Sequence, residues 1–162
     1  MIFVVLGTQK FQCNRLLEKM DQLISQGLIK DKVIAQKGNS DYAPKNYEYV
    51  DFIEKQKFEE LMEQCDLLVT HSGVGTILSG KNHGKPVIVF PRLKKYGEHV
   101  DDHQLDIAKA FGKKNLVFVC GEDDDLGELI AKARNHHFDK YKSQRAKMIQ
   151  LIEDFIKEEK NV

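Results

Sequence analysis

Short apolar runs rich in β-branched residues recur along this chain, and helical patterns separate most of them. Ile2-Phe3-Val4-Val5-Leu6, Lys32 to Ala35 around Val33-Ile34, Tyr47 to Phe52, Leu67 to Thr70, Val87 to Phe90 and Leu116 to Val119 have strand length. Most lack the polar alternation of a sheet face turned to water. Leu16, Leu17, Met20, Leu23, Ile24 and Leu28 recur at helical spacing, with Asn14 as a possible cap. Phe58, Leu61, Met62 and Cys65 form an i, i+3, i+4, i+7 stripe. Val100, Ile107 and Phe111 share a third helical face, with Leu105 and Ala108 beside it, and Leu126, Leu129, Ile130 and Ala133 mark a fourth helix. Only the interval between the second and third strands lacks helical periodicity; it holds the turn signal Gly38-Asn39-Ser40-Asp41. Strands buried on both faces and alternating with amphipathic helices predict an α/β, doubly wound domain with a mainly parallel sheet. A length of 162 residues suits a single domain spanning 1–162. The last segment, 141–159, reads as a long helix whose apolar stripe, Met148 to Ile156, either packs on the sheet or docks on another chain.

Charge and cysteine usage narrow the function. Lys plus Arg and Asp plus Glu number 25 each, so the balance gives no argument for nucleic acid. Cys13, Cys65 and Cys120 are odd in number and far apart, which disfavours a zinc ribbon or redox pair; Cys65 and Cys120 sit among apolar neighbours and read as reduced core residues, which suits the cytosol. The first apolar run is too short for a signal peptide, and no run reaches the ~20 residues of a membrane span. Glu122-Asp123-Asp124-Asp125 stands just before a helix and reads as capping of its positive end rather than as a metal site. No metal and no cofactor are expected.

Three stretches carry candidate chemistry. Gly7-Thr8-Gln9 follows the first strand, and a glycine turn leading into a helix suits an anion. His71-Ser72-Gly73-Val74-Gly75-Thr76 follows the fourth strand. Its glycines allow close backbone approach to a ligand, and Ser72 and Thr76 can donate hydroxyl hydrogen bonds. The pattern is neither G-x-x-x-x-G-K-[ST] nor G-x-G-x-x-G, which disfavours an ATPase or dinucleotide enzyme, and it is not the G-x-S-x-G of a hydrolase. His99 to Gln104 opens the third stretch's helix. Gln104 falls in the arc of Val100, Ile107 and Phe111, with His103 at its edge. Buried there, each needs a partner, because an unpaired polar group costs roughly 1–3 kcal/mol. A ligand with hydroxyls or local backbone could supply it. Arg92, Lys94 and Lys95 give the preceding loop positive charge, for a diphosphate, an anionic lipid carrier, an acidic partner or simply solvent.

These stretches, in this order and over nearly the whole chain, resemble the C-terminal domain of glycosyltransferase family 28, the Rossmann-like nucleotide-sugar half of the GT-B fold. HSGVGTI followed by GKPVIVFPRLKKYGEHVDDHQ is most like the small catalytic subunits of bacterial two-component transferases for capsule and exopolysaccharide. Those are relatives of the eukaryotic subunit that adds the second GlcNAc to dolichol-linked GlcNAc. The resemblance implies that His71 to Thr76 hold the nucleotide diphosphate, with Gly7, Thr8 and Gln9 near the phosphates. The family's H-x-D-x-Q-Q pattern, whose glutamines face the donor sugar, reads here His99-Val100-Asp101-Asp102-His103-Gln104, so Gln104 keeps a glutamine and His103 replaces its neighbour. Ser79 stands where many relatives carry the glutamate that binds the ribose, so that contact is expected to be made differently.

The resemblance therefore implies an inverting transferase subunit that takes a UDP-sugar, galactose first and GlcNAc second. The acceptor is expected to be a lipid-linked saccharide at the cytoplasmic membrane face. The chain opens directly on the first strand of such a domain, so the acceptor-binding half is expected from a membrane-anchored partner subunit. His99 is the candidate general base within the chain. The rivals are a non-catalytic nucleotide-sugar-binding or activating subunit, and a nucleotide-sugar epimerase.

Overall fold

The computed structural model describes residues 1–141 together with Ile152 and Glu153. The helix expected over 141–159 otherwise lies outside the described residues. Ile152 and Glu153 are helical, and Ile152 is buried in the core around Phe3 and Phe111.

The strands are β1 (Ile2–Val5), β2 (Val33–Gln36), β3 (Glu48–Val50), β4 (Leu67–Thr70), β5 (Val87–Val89) and β6 (Phe118–Val119). They form one sheet in the order β3-β2-β1-β4-β5-β6, and every pairing is parallel. Within residues 1–141 the α-helices are α1 (Asn14–Ser25), α2 (Lys55–Gln64), α3 (Val74–Asn82), α4 (His103–Lys113) and α5 (Leu126–Ala133). Among the described residues, no helix is long and apolar enough to cross a membrane.

β1 shows why both faces are covered. Its side chains alternate: Ile2, Val4 and Leu6 join Leu16, Leu17 and Met20 of α1 and Ile130 of α5. Phe3 and Val5 join Leu61 and Met62 of α2, Ile77 of α3 and Phe111 of α4. A strand buried on both faces needs no polar alternation, which is why the run reads as continuously apolar. α3 lies close on the sheet because Gly80 has no side chain; a Cβ there would come within 2.6 Å of Leu68 Cδ2.

Two expected boundaries shift. α1 ends at Ser25, Gly27 turns with a φ of 75°, and Leu28 is left 68% exposed. α4 begins at His103 and not at His99, so Val100 precedes the helix and is 63% exposed. Its match to the apolar arc was a coincidence of spacing, since a 100° period has meaning only where the backbone is helical. Asn14 does not cap α1, because it is the helix's first residue; its Oδ1 accepts from the Tyr42 amide at 3.1 Å. The acidic run does cap: Asp125 Oδ1 accepts from the Glu128 amide at 3.2 Å.

Candidate functional site

The strand order reverses between β1 and β4, and the chain leaves these neighbouring strands for opposite faces, to α1 and to α3. In open parallel sheets the crevice outside the carboxyl ends at such a reversal is where ligands bind. Gly7, Thr8 and Gln9 leave β1 here, and His71, Ser72 and Gly73 leave β4 beside them. The segment after β5, carrying Arg92 to Gln104, flanks the same edge.

His71 fills the space that the glycines open. A Cβ on Gly7 would lie 2.6 Å from its Nε2, and one on Gly73 would lie 2.6 Å from its Cε1. These two glycines therefore admit an imidazole from the protein itself, where the sequence suggested room for a ligand. The third glycine differs, since a Cβ on Gly75 would meet nothing within 4 Å. Burial first, then the nearby Arg92 charge, push the His71 imidazole down to about 3, only partly offset by hydrogen bonding with Gln104. His71 is thus neutral at physiological pH, and its Nδ1 is buried without a hydrogen-bond partner among the described residues.

The two glycine turns lead into different local structures. α1 begins only at Asn14, so Gly7 does not sit at a helix end. An irregular stretch through Phe11, Gln12 and Cys13 intervenes, fixed where Cys13 N donates to Ser40 Oγ at 2.9 Å and Gln12 Nε2 donates to Tyr96 O at 3.1 Å. Thr8 and Gln9 are exposed, and the Gln9 carbonyl accepts from Asn39 Nδ2 at 2.7 Å. α3, by contrast, starts directly after Gly73, which provides no capping side chain. The amides of Val74, Gly75 and Thr76 in its first turn have no intrahelical acceptor. The Ser72 hydroxyl next to them is buried and has no partner among the described residues.

The segment after β5 is held by a charge network that the sequence did not reveal. Arg15 of α1 grips the buried Glu98 with Nε to Oε2 at 3.1 Å and Nη2 to Oε1 at 2.9 Å, and Nη2 also donates to Pro91 O at 3.2 Å. Its guanidinium carbon lies 4.4 Å from the Phe90 ring centroid and 4.7 Å from that of Tyr96. Glu98 Oε1 accepts further from the Leu93 amide at 2.9 Å. Arg92 is fully buried, which removes the solvated-surface reading for it. Its Nη2 donates to Phe11 O at 3.3 Å, whereas Nε and Nη1 have no partner among the described residues. Lys94 and Lys95 are exposed, and Lys95 pairs with Glu122.

Gln104 points inward, as its place in the arc suggested, but local backbone takes its oxygen: Oε1 accepts from the Arg92 amide at 3.2 Å. His103 heads α4 with its side chain 36% exposed. His99 lies in the loop before that helix, its Nδ1 3.1 Å from Asp101 Oδ1. Ser79 lies on α3, where its carbonyl accepts from His83 Nδ1 at 2.8 Å.

A 3-2-1-4-5-6 parallel sheet with helices on both faces is the fold of the C-terminal, Rossmann-like domain of a GT-B glycosyltransferase. The chain belongs to the glycosyltransferase family 28 C-terminal domain, whose model matches residues 1–158. It is 27% identical over 128 residues to the human UDP-N-acetylglucosamine transferase subunit ALG13, covering 74% of this chain but only 11% of that protein. It is 40% identical over 68 residues to the UDP-N-acetylglucosamine–N-acetylmuramyl-(pentapeptide) pyrophosphoryl-undecaprenol N-acetylglucosamine transferase of Geobacter metallireducens, covering 42% of this chain and 18% of that enzyme. The chain thus spans less than a fifth of either protein. The solution structure of ALG13 superposes with a TM-score of 0.60 at 19% identity, over 93% of this chain and 94% of that one, a likeness of fold.

Proposed function

We propose that this chain is the UDP-sugar-binding, catalytic subunit of a two-component inverting glycosyltransferase. It passes a hexose to a lipid-linked saccharide in capsule or exopolysaccharide synthesis. A membrane-anchored partner supplies the acceptor-binding half and holds the chain peripherally at the inner membrane face. The observation that carries the reading is the uncapped start of α3 beside the unpartnered Ser72 hydroxyl, at the strand-order reversal. Free first-turn amides and a helix's positive end suit the diphosphate of a nucleotide sugar and the charge that grows on it as the sugar departs. Ser72, Gly73, Gly75 and Thr76 form this cradle, Thr8 and Gln9 border it, and His103 and Gln104 flank the sugar. His71 supports it from beneath, between Gly7 and Gly73. The charge is met by amides and hydroxyls without a metal or other cofactor. Family membership supports the transferase class, and the human relative is named as a transferase subunit.

The donor is a UDP-hexose. Likeness to the bacterial polysaccharide subunits favours galactose, and the names of the curated relatives favour N-acetylglucosamine. Calorimetric titration of the full chain with UDP, UDP-galactose and UDP-GlcNAc, with and without magnesium, tests all of this. Saturable binding that needs no magnesium and weakens about tenfold in Ser72→Ala, as loss of a hydrogen bond to a charged group should do, supports the cradle. Affinity unchanged in Ser72→Ala, or appearing only with magnesium, overturns it. The non-catalytic alternative predicts binding with transfer indifferent to every cradle substitution.

A further inference from the structure

We propose that His99 is the general base of sugar transfer and that Asp101 is its positioning residue. This rests on the donor-site reading above and adds what that reading lacks, a group to take the acceptor's proton. A carboxylate oxygen only accepts, so the 3.1 Å contact between His99 Nδ1 and Asp101 Oδ1 places the imidazole proton on Nδ1. That leaves the Nε2 lone pair open, the arrangement a neutral imidazole needs to act as a base.

The carboxylate is itself fixed. Asp101 Oδ1 also accepts from the His103 amide at 3.0 Å, and Oδ2 lies 3.3 Å from His103 Nδ1. The start of α4 therefore aims the carboxylate, and the carboxylate aims the ring. On its other side the His99 ring rests against Phe11 of the β1–α1 loop, with centroids 5.2 Å apart at 45°. The ring is thus wedged between the loops after β1 and β5, at the edge where the donor cradle opens. Its side chain is 16% exposed, and no protein group hydrogen-bonds Nε2 among the described residues. His71 cannot serve, because Gly7 and Gly73 enclose its ring. The simpler role for Asp101, holding the His103 amide at the head of α4, does not require a histidine at position 99; the two roles coexist on one carboxylate.

The step balances without a further reagent. The acceptor hydroxyl gives its proton to His99 Nε2, and its oxygen forms the new bond to the anomeric carbon from the face opposite the diphosphate. The carbon–oxygen bond to the diphosphate breaks, its electron pair leaves with UDP, and the configuration inverts. The imidazolium that results forms an ion pair with Asp101 and returns its proton to water.

The test uses the full chain and two substitutions, His99→Gln and Asp101→Asn. UDP affinity is read by calorimetry, and transfer by adding purified chain and radiolabelled UDP-galactose or UDP-GlcNAc to membranes from cells lacking this chain. The expected result is UDP affinity intact in both variants, with kcat falling about 100-fold or more in His99→Gln and about tenfold or more in Asp101→Asn, the range for loss of general base catalysis. KM for the donor stays within about twofold, because neither residue binds it in the ground state. A long-range proton–nitrogen spectrum shows His99 protonated on Nδ1 in the parent chain and shows that preference lost in Asp101→Asn. Transfer at the parental rate in His99→Gln, or a His99 protonated on Nε2, overturns the assignment. A parent chain that fails to bind UDP overturns the donor-site reading, and the base with it, before any variant is compared.

Discussion

The imidazole of His71 stands where the side chain of residue 7 would be. A Cβ on Gly7 would lie 2.6 Å from Nε2, well inside contact distance, and the ring is buried and cannot swing away. Gly7→Ala should therefore destabilise the chain by about 1–3 kcal/mol, the usual cost of overpacking. Gly75→Ala should be neutral or stabilise by up to about 1 kcal/mol, since it removes a helical glycine where a methyl group has room. Urea midpoints of the two variants measure the contrast. Adding His71→Ala to Gly7→Ala should recover part of the loss, because contacting residues couple. Equal midpoints for Gly7→Ala and Gly75→Ala would show that the ring does not occupy this space.

Burial of His71 also makes stability depend on pH. Its folded-state value of about 3 lies below the ordinary 6.5, so between those limits the unfolded chain binds a proton that the folded chain refuses. Stability from this residue is complete above pH 6.5 and falls as the pH drops toward 3, by up to about 1.4 kcal/mol per pH unit. The difference in unfolding free energy between the parent and His71→Gln, measured from pH 7.5 to 4.5, isolates this contribution, because other acidic groups cancel. The parent should lose stability faster on acidification. Parallel curves would mean that His71 is protonated in the fold.

Much of the sheet was legible in the sequence because most strands are short apolar runs; the edge strand β3, Glu48-Tyr49-Val50, departs from the expected two-sided burial and is exposed. Leu67 to Thr70 matches β4 residue for residue, and the other strands fall within about two residues of their runs. The site was legible in parts. The topology brings Gly7 and His71 together at the strand-order reversal, and Gln104 does face inward. The sequence could not show that His71, and not a ligand, needs Gly7 and Gly73, because that depends on where β1 and β4 pair. Nor could it single out Arg15 and Glu98, which are 83 residues apart and look like ordinary surface charges until the fold buries them. A signal was present in the apolar Phe90-Pro91 just before Arg92, since a charge directly after a buried strand has to go somewhere. Asp21 was missed in the same way. It is buried on α1 and accepts from Tyr42 Oη at 2.5 Å and from the amides of Lys45 and Asn46 at 2.9 Å each, pinning the helix-free β2–β3 connection.

The cysteines should behave as core residues. Burial pushes the Cys13 thiol up to about 12 and the Cys120 thiol up to about 11, and raises that of Cys65. Thiolate is the reactive form, so all three should resist a disulfide reagent at pH 8 in the folded chain and react together in denaturant. Cys120 should be the first to yield in mild urea, because it borders a cavity of about 270 Å³ beside Leu93 and Leu105. A thiol that reacts in the native chain at the rate of free cysteine would contradict the burial described.

The ion pair between Arg15 and Glu98 should matter more than a surface pair, because its carboxylate is 1% exposed and its guanidinium 25%. Removing Arg15 strands a buried carboxylate, a change that typically costs about 3–5 kcal/mol. The partial exposure of Arg15 allows water to enter, so Arg15→Met should fall toward the lower end of that range. Glu98→Gln keeps the shape and the acceptor oxygen for the Leu93 amide, and should cost less. The double variant should be more stable than the sum of the single effects predicts, since each single change leaves its partner unmatched. A functional effect should accompany the loss of stability. The pair ties α1 to the segment that leads from Pro91 to His99, so loosening it frees the His99 ring from Phe11. Transfer should therefore decline at temperatures where the variant is still folded by circular dichroism, while UDP affinity, which the proposed donor site assigns to the α3 cradle, is retained. Unfolding midpoints, calorimetry and the membrane transfer assay on the same three variants separate these effects. Additive single and double costs would show that Arg15 and Glu98 do not interact, and parallel loss of UDP affinity and transfer would show that the clamp supports the cradle rather than the base.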